Sequence, residues 1–132
     1  MTVNEFEDLQ KTNINVHWTL CELHKTAKNI AAILADSYPK YVEINKVEEH
    51  TNWKGLPTVE IYFILNKKDL AVLQIYQERP CLNKYELIGY EESPKDGYPE
   101  FEIYNGTIPQ DLFDAFTTHL SQLTKKKLKR IK

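Results

Sequence analysis

The stretch that most limits how this chain can fold is VEIYFILNKKDLAVLQIY, residues 59–76. Two runs, 59–65 and 70–76, are dominated by branched, aromatic and leucine side chains, and only Asn66-Lys67-Lys68-Asp69 separates them. Such runs favour the pleated β conformation, and so short a link permits only an antiparallel hairpin. With Lys67 and Lys68 as a two-residue turn, Ile61, Phe63, Leu65, Leu70, Val72 and Tyr76 share one face. The opposite face then holds Tyr62, Ile64, Ala71, Leu73 and Ile75. An antiparallel sheet with one wet face alternates apolar with polar residues, and this hairpin does not. Both faces therefore require cover. That cover is a helix on each face, a partner protein or second copy of the chain on one, or a buried ligand pocket.

The flanking sequence extends the sheet. YVEINKV (41–47) reads as a first strand, followed by the loop EHTNWKGLP. A turn near Arg79 to Asn83 leads to YELIGYE (85–91), and the turn segment SPKDGYP (93–99) leads to FEIY (101–104). Helical spacing appears at both ends. Val3, Phe6 and Leu9 suggest a short turn, and Val16, Leu20, Leu23, Ala27, Ile30 and Leu34 predict a helix from about Asn15 to Ser37, ended by Pro39. Leu112, Phe116, Leu120 and Leu123 predict a second helix over 108–126. Thr107 with Gln110 forms a capping-box pattern there, and Pro109 suits the first turn. The expected class is α+β: N-terminal helix, antiparallel meander of four to five strands, C-terminal helix. One domain, 1–124, is followed by a basic tail, 125–132.

Charge sets the tail apart. The last eight residues, KKKLKRIK, hold six of the 17 basic groups, leaving 11 basic against 19 acidic groups, −8, in residues 1–124. Leu128 and Ile131 would continue the register of the last helix, so the tail reads as its extension. Lys125, Lys126, Lys127, Lys129, Arg130 and Lys132 could bind a nucleic-acid backbone, or serve only as a solvated terminus. An anionic membrane surface is a weaker fit, because the apolar anchor is so short. Lysine outnumbers arginine fifteen to two, which argues against base-specific contacts and hints at AT-rich bacterial or phage coding DNA.

The longest apolar run, IAAILA (30–35), cannot span a bilayer, so no integral membrane association is expected. MTVNEFEDLQK has no basic-then-apolar order of a secretory signal, and Cys21 and Cys81 lack partner spacing. These features suggest a cytoplasmic protein with free thiols.

Chemistry-bearing motifs are few. HWTLCELH (17–24) places His17, Cys21 and His24 at i, i+4 and i+7. At 5.4 Å per turn the two histidines lie about 10.5 Å apart along a helix. Zinc holds nitrogen ligands at about 2.0–2.1 Å, so one straight helix can offer it only two of the three. The trio sits beside the apolar stripe, so the alternative is a helix edge. Cys21 as a thiolate nucleophile beside His17 is a further reading without an accompanying oxyanion motif. Glu100 and Glu102 flank an inward Phe101 and read as the wet face of an edge strand. The sequence has no phosphate-binding glycine loop, nucleophile elbow or HExxH motif. No catalytic residue or cofactor is assigned.

These observations favour a small non-catalytic binding or regulatory protein. It would act through the second sheet face (Tyr62, Leu73 and Ile75 in this register) or through Trp53, with a protein partner or as a homodimer. Trp53 in its long loop either anchors an interface or folds back to cap the core. The alternatives are a nucleic-acid-binding accessory protein using residues 125–132, and a metal- or thiol-dependent enzyme using His17, Cys21 and His24.

Overall fold

The computed structural model describes residues 1–12, 20–79, 82–90 and 100–131. Helices α1 (Val3–Thr12) and α2 (Leu20–Ser37) precede five strands, and α3 (Pro109–Thr124) follows them. The strands are β1 (Val42–Thr51), β2 (Pro57–Leu65), β3 (Asp69–Arg79), β4 (Leu82–Tyr90) and β5 (Glu100–Gly106), antiparallel and in sequential order across one sheet. This is the expected α+β layout. The 93–99 turn and Cys81 lie outside the described residues.

The β2–β3 register differs from the two-residue turn. Leu65 pairs with Asp69, so Asn66, Lys67 and Lys68 form a three-residue link, with Asn66 (φ 50°) and Lys67 (φ 67°) left-handed. Side chains alternate with period two, so a one-residue slip exchanges the faces of a whole strand. Ala71, Leu73 and Ile75 accordingly join Val59, Ile61, Phe63 and Leu65 on one face. Leu70, Val72 and Tyr76 move to the other, beside Tyr62 and Ile64.

All three helices serve the first of these faces. Leu23, Ala27, Ile30 and Leu34 of α2 and Leu112, Phe113, Phe116 and Leu120 of α3 form one core with those β2 and β3 residues and with Tyr85 and Leu87 of β4. Phe116 meets Phe63 edge-on at 5.5 Å, and Phe6 of α1 meets Phe113 at 6.0 Å. Val72 and Tyr76 are buried but stand outside this core. Among the described residues, therefore, helices cover one face and not both.

The helix ends also depart from expectation. Thr2 Oγ1 accepts from the Glu5 amide (3.1 Å) and starts α1 as a full helix rather than a single turn. The N-cap of α3 is Ile108, without a side-chain cap, so the Thr107–Gln110 box does not form. Tyr104 substitutes for it: its hydroxyl accepts from the Ile108 amide (3.0 Å) and donates to the Ile108 carbonyl (3.1 Å).

The basic tail does not extend α3. Lys125 takes a left-handed conformation (φ 55°), and the Lys125 and Lys126 amides reach back to the Gln122 and Ser121 carbonyls, closing the helix as glycine usually does. The chain then lies along the helix layer. Leu128 packs against the core, Ile131 is 7% exposed, and the Lys129 carbonyl accepts the Tyr38 hydroxyl at 2.5 Å. Tyr38 Oη also lies 2.8 Å from Thr117 Oγ1, tying tail, α2 and α3 together. Removing residues 128–132 should therefore cost about 2–4 kcal/mol of unfolding free energy, for a lost buried isoleucine and hydrogen bond. Lys125→Gly should gain about 0.5–1 kcal/mol by relieving the left-handed lysine. Denaturant titration of both variants checks this, and an unchanged midpoint after truncation would mean a frayed tail.

Candidate functional site

Among the described residues, the face of the sheet turned away from the helices carries side chains that stand outside the core. Its composition follows from the register. Tyr62, Val72, Ile88 and Glu102 form one cross-strand row, and Glu60, Gln74, Glu86 and Asn105 form the next. Ile64 pairs with Leu70, and Tyr90 with Glu100. An aliphatic and tyrosine stripe thus crosses β2 to β4 between acidic margins.

Polar groups within this face are tightly engaged. Glu60, only 8% exposed, accepts from Gln74 Nε2 (2.7 Å) and Tyr62 Oη (3.1 Å), and His50 Nε2 lies 3.0 Å away. These contacts satisfy a carboxylate that would otherwise be costly to remove from water. Tyr76 Oη donates to Glu86 (2.7 Å) and Tyr90 Oη to Glu100 (3.4 Å). Burial pushes the Tyr62 phenol up to about 12, helped by the adjacent Glu60 charge. Tyr76 and Tyr90 are raised by the same two causes, burial first and then their glutamates. All three phenols therefore stay neutral donors throughout the ordinary pH range.

At one end of the face, the β1–β2 tip holds Trp53 outward. Asn52 Oδ1 accepts from the Lys54 and Leu56 amides (2.9 and 3.0 Å), and Gly55 takes φ 78°, a conformation that suits glycine. Trp53 is 87% exposed, so it does not fold back onto the core. Lys54 lies 5.1 Å from the Trp53 ring centroid and 5.8 Å from that of Tyr76, and its ammonium pairs with Glu78.

The other sequence-derived candidates scatter. Tyr62 belongs to the open face, whereas Leu73 (1% exposed) and Ile75 (0%) are sealed under the helices by the corrected register. Neither can touch a partner without unfolding. His17 and the Cys21 side chain lie outside the described residues, while His24 pairs through Nε2 with Glu49 across α2 and β1. Among the described residues no three His, Cys, Asp or Glu side chains converge as metal ligands. In the tail, Arg130 pairs with Asp114 (2.7 Å) and Lys126 donates to Tyr41 Oη (3.1 Å). Lys125, Lys127 and Lys129 remain exposed, and Lys132 lies outside the described residues.

A second concavity lies between β5 and α3, about 340 Å³, lined by Phe101, Ile103, Ala115, Thr118, His119 and Gln122 among others. Gly89 admits the Phe101 ring, which a Cβ would obstruct, and the ring leans on His119 at 5.5 Å between centroids. Burial lowers the His119 pKa from 6.5, and the Asp69 charge opposes it.

Sequence reading missed Glu60, Gln74, Glu86, Ile88 and Tyr90 as members of one surface. Glu60 and Gln74 are the single polar residues interrupting the two apolar runs. Pairing them across the hairpin would have yielded the three-residue link. Comparison with protein-family models, with curated proteins and with solved structures finds no match to this chain. No helix among the described residues is long and apolar enough to cross a membrane.

His119 generates a pH prediction. Because its folded pKa is depressed, it adds stability above pH 6.5 that is lost as pH falls through the folded value. His119→Gln should flatten the decline of the melting midpoint over that acidic window. An identical pH profile in both proteins would count against a buried neutral imidazole.

Proposed function

We propose that this chain is a non-catalytic binding protein whose open sheet face, extended by Trp53, docks a second protein. The carrying observation is that all three helices pack on one side of a sheet whose other side still presents Tyr62, Ile64, Leu70, Ile88 and Tyr90. Dimensions support a shared role for tip and face. Five strands at about 4.8 Å spacing and about seven residues at 3.3 Å make a surface on the order of 500 Å². A standard interface buries roughly 800 Å² per partner, so a docked protein would also reach the exposed indole. The cysteine usage supports a cytoplasmic setting for this encounter.

A second copy is the less favoured occupant. Two-fold pairing about an axis across the strands would set the Glu86, Glu100 and Glu102 margin of one face against the same margin of the other, like charge against like. The tail-based nucleic-acid reading has weaker support, because two of its cations are engaged with the protein's own side chains.

A photo-crosslinking residue at Tyr90, compared with one at exposed Lys28 on α2, tests the proposal in cells expressing the full chain. The expected result is one discrete heterologous adduct from position 90 and none from position 28. Ile88→Asp should abolish that adduct while the purified variant keeps its melting midpoint. An adduct of twice the chain mass would replace the partner by a second copy, and absence of any adduct at position 90 would sink the docking reading.

A further inference from the structure

We infer that the protein covering the open face is basic, and that it sets its cationic side chains over β4 and β5. This rests on the reading of that face as a docking surface, and it comes from how charge is distributed across it.

On the β1–β3 half two carboxylates have lysine partners and a third has an imidazole beside it, while Glu43, opposite Ile64, makes no ion pair among the described residues. Glu48 pairs with Lys46 (2.9 Å), Glu60 has His50 at 3.0 Å, and Glu78 pairs with Lys54. Lys46 additionally lies 4.6 Å from the Tyr62 ring centroid, and Lys54 covers Tyr76, so the aromatic faces on this side already have their cations.

On the β4–β5 half the glutamates accept from neutral donors among the described residues. Glu86 accepts from Tyr76, Glu100 from Tyr90, and Glu102 from Asn105 Nδ2 at 3.0 Å. Among the described residues no Lys, Arg or His comes within ion-pair distance of these three. They border a hollow of about 210 Å³ together with Ile88 and Phe101. The apolar stripe therefore runs into an acidic margin whose one described lysine on the same face, Lys84 opposite Tyr76, makes no ion pair with these three glutamates.

That arrangement selects among occupants. An apolar or acidic protein spreading over the stripe would strip water from three carboxylates and offer nothing in return, a cost of several kcal/mol for each buried ion. A nucleic-acid backbone would meet repulsion from the same groups. A protein surface bearing arginine or lysine supplies the missing charge, while the methylene stems of those residues lie on Ile88. The chain's own basic tail is bound to the helix layer through Tyr38 and Asp114, away from this face.

The full chain, isotopically labelled, is titrated by NMR with an oligo-arginine peptide and with an oligo-glutamate peptide of equal length. Oligo-arginine should shift the amides of 84–90 and 100–105, saturably and less strongly as salt is added. Glu86→Gln/Glu102→Gln should weaken it about tenfold, equivalent to about 1.4 kcal/mol. Glu5→Gln/Asp8→Gln, an equal charge change on α1, should leave it unchanged. Should the first double variant fail to fold, Glu100→Gln alone must weaken binding in the same direction.

Equal weakening by both double variants, no shift, or the same shifts with oligo-glutamate would overturn the inference. These outcomes separate from those of the crosslinking. An adduct whose partner surface is neutral or acidic leaves docking standing and removes the basic partner. Oligo-arginine binding without any adduct removes docking and leaves the cation preference.

Discussion

The link Asn66-Lys67-Lys68 controls this structure more than any other local feature, because it sets which side of β3 faces the helices. Both sides of β2 and β3 carry apolar residues, so hydrophobicity alone discriminates weakly between registers. Polar pairing completes the choice. With Leu65 opposite Asp69, Glu60 stands opposite Gln74 and beside Tyr62 and His50, all on the wet side. Slipped by one residue, Gln74 would enter the core beneath α2 and Glu60 would lose its amide donor. A buried amide without a partner costs about 1–3 kcal/mol, comparable with a large fraction of a small domain's net stability.

Element order was readable because each element announces itself locally. The β2 and β3 runs show branched and aromatic density, α2 and α3 show three- and four-residue spacing, and Pro39 marks the end of α2. What could not be read depended on partners remote in sequence. The fate of the tail was decided by a Tyr38 hydroxyl 91 residues upstream of the Lys129 carbonyl it meets. Thr107 looked like a cap until Tyr104, three residues earlier, took over the Ile108 backbone. Of the proposed contact residues, Trp53 is exposed and Tyr62 half-buried on the open face, while Leu73 and Ile75 are sealed by a single extra residue in a turn.

The open face combines stiffness with incomplete neutralisation. Its tyrosines are fixed by carboxylates, so little side-chain freedom would be lost when a protein settles on them, a property that favours binding at modest area. The same hydrogen bonds hold Glu86 to Tyr76 and Glu100 to Tyr90 across adjacent elements of the face. If the β4–β5 glutamates meet a partner's cations, that margin would orient a docked protein as well as hold it.

The closure of the tail onto Tyr38 has a practical geometric consequence. α1 packs on α3, and Ile131 packs into the same layer, so both described ends of the chain leave from the helix side. A tether attached at either end would present the sheet outward, with Trp53 on its rim. Fusions, surface immobilisation and fluorescent labels can therefore be placed at both termini while the Tyr62–Ile88 stripe stays unobstructed.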